Sequence, residues 1–357
     1  MLAISCEGNS YEIGLQHGEH AREKIAGSLE FYEGLFKRRC SMDWPQVCDA
    51  AAKFVPFLET SFPGYMQEMR AGVAQGAGVP VESILALNVR TEIAYGMFSD
   101  GCTALSWKSK DESFLAQNWD WEREQFPNLL TLHIRQTTAT TPPTPVIHMI
   151  TEAGIIGKIG LNSHGVGVSL NAIKAAGVDF GKLPTHLALR AVLDSVSRAD
   201  AVAKLEQYGV AAACHILIAD RTGGVGLECS ARDVVRLEMG EREKDGGGDA
   251  AGVVTHSNHF IRPHLDTEGK VHLNDTLDRL KRVRELVAER VAGPPSVAVI
   301  EEILKDEQGY PTAICREVTQ ESSIATLFSI VMDLGKGTGL IKMGRPVKPE
   351  EVVELRP

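Results

Sequence analysis

The segment Asp100-Gly101-Cys102-Thr103 places a thiol where the sequence pattern changes from helical to strand-like. Cleavage between Gly101 and Cys102 would put the thiol on a new N-terminus, beside an α-amine with an ordinary pKa of about 8. The thiol's ordinary pKa is about 8.5, so proton transfer between them would cost little, and the residue would carry its own general base. Gly101 suits the position before the cut because glycine tolerates strained backbone geometry. The alternative is an ordinary buried cysteine.

Four other polar residues could complete a site around Cys102. Asp120 follows 18 residues later, a distance that one hairpin can fold back, and its flanking tryptophans would exclude water from the carboxylate. Asn171 and Asn258 are neutral amide donors that could hold an oxyanion. Arg316 is expected to be an isolated cation that grips a substrate carboxylate through two hydrogen bonds. Each of the four is equally compatible with a turn or structural position.

Other motifs that suggest chemistry fail on spacing. The glycine-rich runs 154–160 and 335–339 lack the G-x-x-x-x-G-K-[ST] pattern of a phosphate loop. No H-E-x-x-H or G-x-S-x-G motif occurs, and the seven cysteines form no C-x-x-C pair. His256 and His259 are best read as structural histidines. We therefore expect no metal site and no permanently bound cofactor.

Hydrophobic periodicity divides the chain at Gly101. The residues before it follow a helical pattern, which predicts a helical layer over the first hundred residues. Short alternating runs then predict strands, followed by helices near Pro184 and Asp200, more strands, a long helix around Leu277–Val291 and a final hairpin. The order lacks strict βαβ alternation, which favours an α+β fold with helical layers covering antiparallel sheets.

Composition limits the possible partners and compartments. The 357 residues carry a formal net charge of −10, which disfavours general binding to nucleic acid or anionic membranes. No apolar run approaches the length of a transmembrane helix, and the N-terminus lacks the features of a signal peptide. We expect a cytoplasmic protein acting on small molecules.

Several segments, in order along the chain, resemble the fungal isopenicillin N acyltransferases, the acyl-CoA:6-aminopenicillanic acid acyltransferase family (peptidase C45, N-terminal nucleophile hydrolase superfamily). The resemblance runs from Glu12-Ile-Gly-x-x-His-Gly18 to Gly344-Arg345-Pro346. Between these ends, the matching segments are Asn88–Gly96, Asp100–Thr103, Gln117–Asp120, Thr151–Lys158 and Tyr310–Arg316.

The resemblance implies a four-layer αββα sandwich of the N-terminal nucleophile type. It also implies autocatalytic cleavage into an α chain, residues 1–101, and a β chain, residues 102–357, which remain associated. Cys102 would be acylated by isopenicillin N, whose aminoadipyl group is then released, or by an acyl-CoA co-substrate. The acyl group would then pass to 6-aminopenicillanic acid.

The resemblance also assigns roles to individual residues. Asp120 and Arg316 match positions expected to hold the penicillin nucleus, and Ser230 matches a serine important in the family. Asn171 and Asn258 fall at oxyanion or supporting positions. The ending Leu355-Arg356-Pro357 departs from the peroxisomal tripeptide of penicillin-forming members. An alternative function is therefore an amidohydrolase or N-acyltransferase, with the same cysteine, acting on another N-acyl amine or peptide-like metabolite.

Overall fold

The computed structural model describes residues 1–94, 101–137, 144–241, 248–265, 274–320 and 322–357. Its strands in chain order are β1 Leu2–Gly8, β2 Gly101–Lys108, β3 Ser113–Glu122, β4 Leu129–Gln136, β5 Ile147–Glu152, β6 Ile159–Asn162, β7 Gly167–Ala172, β8 Cys214–Asp220, β9 Gly223–Cys229, β10 Val234–Leu237, β11 Val253–His256, β12 Ile324–Asp333, β13 Thr338–Met343 and β14 Glu351–Leu355.

The strands form two sheets. One has eight strands in the order β1-β4-β5-β6-β7-β8-β9-β10, and the other has six in the order β11-β2-β3-β12-β13-β14. All pairings are antiparallel except that of β1 with β4, which is parallel. The prediction of antiparallel sheets therefore holds for the other strand pairs and fails at this edge.

Twelve α-helices lie within the described residues. They are α1 Ser10–His20, α2 Arg22–Cys40, α3 Trp44–Ala52, α4 Val55–Ser61, α5 Pro63–Gln67, α6 Ala74–Ala77, α7 Val81–Asn88, α8 Arg90–Ile93, α9 Thr185–Leu193, α10 Arg198–Tyr208, α11 Asn274–Ala288 and α12 Val297–Leu304. Helices α1, α9 and α10 pack on the eight-stranded sheet, and α11 and α12 pack on the six-stranded sheet. The sheets face each other through β2 and β3 on one side and β7, β8 and β9 on the other. The predicted four-layer αββα sandwich is confirmed.

Strands β2 and β3 are the centre of the fold, because both of their faces are covered. Cys102, Ala104 and Leu115 belong to the main hydrophobic core. Trp107 and Phe114 belong to a second core under α11 and α12. Since side chains alternate between faces along a strand, the Cys102 side chain points between the sheets, whereas residues 101, 103 and 120 face the helices.

The first hundred residues are not wholly helical, since Leu2–Gly8 forms an edge strand with alternating burial. The glycine-rich run at 241–252 predicts a surface loop, and residues 242–247 of this run lie outside the described residues. Within the described residues, no helix is long and apolar enough to cross a membrane.

Candidate active site around Cys102

Cys102 lies at the start of β2, where its backbone extends past the end of the neighbouring strand. Strand β11 ends at His256, opposite Ala104, so it offers no ladder partner to Cys102. Side chains replace that partner. The Cys102 amide donates to Asn258 Oδ1 at 2.8 Å, and its carbonyl accepts from Arg279 NH1 at 2.6 Å. Side chains therefore hold both the backbone N–H and the carbonyl of Cys102, the candidate nucleophile. Its own side chain is fully buried.

Asn258 and Arg279 also bind each other. Arg279 NH2 donates to Asn258 Oδ1 at 2.8 Å, and Asn258 Nδ2 donates to the carbonyl of Ala172 at 2.9 Å. Asn258, predicted as an oxyanion donor, thus presents its oxygen to the Cys102 amide. Sequence reasoning missed Arg279, which lies within the predicted helix 277–291 and is separated from Cys102 by 177 residues.

Gly101 is enclosed by the two residues predicted to bind substrate. A Cβ at this position would lie 2.3 Å from Arg316 NH1 and 2.9 Å from Asp120 Oδ2, closer than side-chain atoms can approach. Thr326 joins the pair, since its hydroxyl donates to Asp120 Oδ1 at 2.7 Å and accepts from the Arg316 amide at 2.9 Å. Only glycine fits this site without displacing the charged groups.

Arg316 is not the isolated cation that the sequence predicted. Its NH2 donates to Asp275 Oδ2 at 2.8 Å, and the same oxygen accepts from Arg279 Nε at 3.1 Å. Asp275 thereby links the arginine that holds Cys102 to the arginine beside Gly101. A guanidinium this deeply buried needs a counter-charge, and no residue near Arg316 in the chain indicates that Asp275 supplies it.

Asp120 is fully buried, and its Oδ2 has no hydrogen-bond partner within the described part of the chain. Burial raises the pKa of Asp120 to about 7, although Arg316 and Arg279 act to lower it. Trp119 and Trp121 lie on the opposite face of β3, so the prediction that they shield this carboxylate was wrong; α11 and the segment around Arg316 do so. The open lone pairs of Oδ2 could accept a hydrogen bond from a substrate amine.

The other two candidates, Asn171 and Ser230, hydrogen-bond to residues other than Cys102. Asn171 accepts from His215 Nδ1 at 3.1 Å and donates to the His256 carbonyl at 3.4 Å. Ser230 lies in the turn after β9, where its hydroxyl donates to Asp233 and accepts from the Asp233 amide at 3.0 Å. The Asn171 bonds therefore join β7 to β8 and to β11 of the other sheet, whereas the Ser230 bonds stabilise the local turn.

A buried ionic cluster lies between the sheets, on the side that the Cys102 thiol faces. Glu152 accepts from Arg90 NH2 at 2.7 Å, from Lys158 Nζ and from the Tyr32 hydroxyl. The Lys158 ammonium lies 3.9 Å from the centroid of the Trp119 ring, and Trp119 is directly opposite Cys102 in the sheet. The sequence did not predict this role for Lys158. It included Lys158 only in the glycine-rich run 154–160, which lacks the phosphate-loop pattern, and in the segment Thr151–Lys158, which resembles the acyltransferase family.

Among the described residues, no group of three or more His, Cys, Asp or Glu side chains is placed to hold a metal ion. His256 Nε2 contacts Glu228 at 2.9 Å and Nδ1 contacts the Ser257 carbonyl at 2.8 Å, so its ring nitrogens have protein partners.

Comparison with known proteins shows similarity to a protein family, to a fungal protein and to a solved structure. Residues 107–348 match the family described as acyl-coenzyme A:6-aminopenicillanic acid acyl-transferase. The Emericella nidulans protein named acyl-coenzyme A:6-aminopenicillanic-acid-acyltransferase 40 kDa form is 34% identical over 356 residues, which cover 98% of this chain and 95% of that protein. The structure of penicillin V acylase from Agrobacterium tumefaciens is similar with a TM-score of 0.48 and 15% identity, covering 71% of this chain and 86% of that one.

Proposed function

Because the chain belongs to the acyl-coenzyme A:6-aminopenicillanic acid acyl-transferase family, we propose that it is an acyltransferase activated by its own cleavage between Gly101 and Cys102. The observation that carries the proposal is the geometry of this peptide bond. Asn258 and Arg279 hold the Cys102 backbone, and Gly101 lies against Asp120 and Arg316. Cleavage would divide the single fold into an α chain, residues 1–101, and a β chain, residues 102–357.

Cleavage would begin with attack of the Cys102 sulfur on the Gly101 carbonyl carbon. The C–N bond breaks, the thiol proton passes to the Cys102 nitrogen, and Gly101 is held briefly as a thioester. Water then hydrolyses the thioester, which releases the Gly101 carboxylate and regenerates the thiol. Asn258 Oδ1 accepts a hydrogen bond from the Cys102 amide before the cut. It is placed to accept a hydrogen bond from the new amine afterwards.

Acyl transfer would reuse the same atoms. The α-amine takes the thiol proton, and the thiolate attacks either of two donors. Attack on the side-chain amide of isopenicillin N leaves the aminoadipyl group on sulfur and releases 6-aminopenicillanic acid, and water then frees the aminoadipyl group as the acid. Attack on an acyl-CoA leaves the new acyl group on sulfur and releases CoA, and this acyl group passes to the 6-amino group of 6-aminopenicillanic acid, the acylation step of penicillin biosynthesis. Asp120 would bind the acceptor amine through its open Oδ2, and Arg316 the acceptor carboxylate. Asn171 and Ser230 would support the site from a distance.

We expect the purified, cleaved protein to convert phenylacetyl-CoA and 6-aminopenicillanic acid to penicillin G and free CoA. Liquid chromatography with mass spectrometry would detect both products. A protein that has cleaved itself but forms no penicillin G, and hydrolyses other N-acyl amides, would instead support the alternative amidohydrolase or N-acyltransferase function.

We expect Arg316→Lys to weaken binding of the acceptor more than it slows self-cleavage. An ammonium keeps the charge but loses the planar fork that can bind a carboxylate through two hydrogen bonds. The KM for 6-aminopenicillanic acid should rise about tenfold or more, corresponding to loss of one charge-assisted hydrogen bond.

Arg282→Lys is the matched control for this measurement, because Arg282 makes a comparable paired contact with Asp306 on the same side of the fold. It should leave the KM for the acceptor unchanged. Equal loss of self-cleavage and acceptor binding in Arg316→Lys would show that Arg316 has a structural role instead.

A further inference from the structure

An open groove of about 780 Å³ lies beside the turn after β9. Its lining combines cations with apolar surface, contributed by Val178, Phe180, Lys182, Arg232 and Leu265. This volume is in the range of pockets that hold drug-sized ligands and cofactors. We propose that the groove binds the nucleotide end of the acyl-CoA donor. The inference rests on the proposed function, which supplies acyl-CoA as the co-substrate.

Two chain segments connect the groove to Cys102. They begin together, because Asn258 binds the Cys102 amide through Oδ1 and the Ala172 carbonyl through Nδ2. One segment runs from Ala172 to the groove residues 178–182, and the other runs from Asn258 to Leu265. Even fully extended, the six residues from Ala172 to Val178 span at most about 22 Å. The groove therefore begins no more than about 22 Å from Ala172, the residue that shares Asn258 with Cys102.

Between these ends the two segments pack together through a largely buried apolar cluster. Ile173 and Phe260, one from each segment, pack in a small hydrophobic cluster with Ala213, and Ala175 lies against it. An acyl-CoA lying along these two segments, a path that we call the track, would have its thioester carbonyl at Cys102 and its phosphates in the groove. Its central part would pass the apolar cluster. The two ends of the track match the two chemically different ends of an acyl-CoA.

The charges of the groove suit a polyanion. Lys182 Nζ donates to the Ala231 carbonyl at 2.5 Å, and Arg232 lines the same turn. Lys53 Nζ lies 5.3 Å from the centroid of the Phe180 ring. Among the described lining residues Asp179 is the single carboxylate, and it pairs with Lys182 at 3.8 Å. Arg232, together with Lys53 beside Phe180, therefore leaves a local positive surplus on a chain whose net charge is −10. Arginine and lysine bind phosphates, and an aromatic ring can stack on adenine.

Two other described pockets suit this ligand less well. The pocket beside Arg279 has a volume of about 250 Å³, and its three acidic residues balance its three basic ones. The pocket near Met1 has about 270 Å³ and includes Glu350 and Glu351. Neither offers a cationic surplus with room for a nucleotide.

The test compares two acyl donors that differ only in the nucleotide part. Phenylacetyl-CoA carries it, and the phenylacetyl thioester of N-acetylcysteamine does not. We expect Lys182→Met combined with Arg232→Met to raise the KM for phenylacetyl-CoA at least about tenfold. The kcat/KM for the short thioester should stay within about twofold of the unmodified enzyme, since neither side chain would touch it. Arg236→Met, which removes an exposed cation paired with Glu206, should change neither value.

A second measurement uses the unmodified protein, in case the double variant does not fold. Raising the salt concentration from about 50 to 500 mM should raise the KM for phenylacetyl-CoA but not that for the short thioester, because salt screens exposed charges. Equal effects on both donors, or no change in the KM for phenylacetyl-CoA, would overturn the groove assignment. Failure of a self-cleaved protein to use either donor would overturn the proposed function and, with it, the assignment.

Discussion

Replacement of Cys102 by alanine should yield a single uncleaved chain of 38.7 kDa, whereas the unmodified protein should yield chains of 101 and 256 residues. The sulfur is the attacking atom in both proposed steps, and a methyl group cannot replace it. Acyl transfer should fall by at least about a thousandfold, as it does when other enzymes lose their nucleophile. Intact mass and N-terminal sequencing, with Cys102 as the first residue of the larger chain, would measure the cleavage.

Cys229→Ala provides the matched control. Cys229 is as deeply buried as Cys102 and also lies in a strand, but its thiol contacts the Leu227 carbonyl at 3.6 Å and the Cys214 side chain, neither of which belongs to the proposed site. This variant should cleave and retain activity, with at most a modest loss of stability. An unmodified protein that stays uncleaved under native conditions, or a Cys102→Ala variant that still cleaves, would contradict the proposal.

The sequence identified the residues at the peptide bond because their types are unusual where they occur. Gly101 and Cys102 lie at a change of periodicity, and one hairpin brings Asp120 opposite Gly101, as its spacing predicted. The sequence could also have shown which face of β3 Asp120 occupies. Side chains alternate along a strand, so Trp119 and Trp121 must lie on the opposite face. The error came from treating sequence neighbours as spatial neighbours within a strand.

Arg279 and Asp275 could not be predicted in the same way. They are spaced four residues apart on α11, a common arrangement for an ordinary surface ion pair on a helix. Their role depends on α11 packing over the start of β2, a long-range contact with no local signature. The edge strand β1 differs, because Ile4, Cys6 and Gly8 are buried while Ser5 and Glu7 are exposed. That alternation was readable in the sequence, but the parallel pairing with β4 was not.

The buried cluster around Glu152 connects the two segments that cleavage would separate. Arg90 and Tyr32 belong to residues 1–101, whereas Glu152 and Lys158 belong to residues 102–357. Three of these charged groups are almost wholly removed from water: Glu152 and Lys158 are 0% exposed and Arg90 is 4% exposed. One carboxylate therefore neutralises part of the charge of two buried cations, one from each of these segments.

We therefore expect Glu152→Gln to destabilise the protein by about 3–5 kcal/mol at pH 7, because it leaves Arg90 and Lys158 buried without their counter-charge. Denaturant unfolding would measure the loss. Glu206→Gln, which breaks the exposed pair with Arg236, should change the free energy of unfolding by at most about 1 kcal/mol. In the cleaved enzyme, Glu152→Gln should also make the chains separate more readily on size-exclusion chromatography in mild denaturant.

The pH dependence of this effect distinguishes a charge interaction from simple packing. Burial alone would raise the pKa of Glu152, but Arg90 and Lys158 hold it well below its ordinary value of 4.5. A carboxyl with a lowered pKa contributes stability that is fully present above the unfolded value and is lost as the pH falls towards the folded value. The difference in stability between the unmodified protein and Glu152→Gln should therefore be constant above about pH 5.5 and shrink below pH 4.5. A difference that does not change with pH would show that shape, and not charge, makes Glu152 important to the association of the two chains.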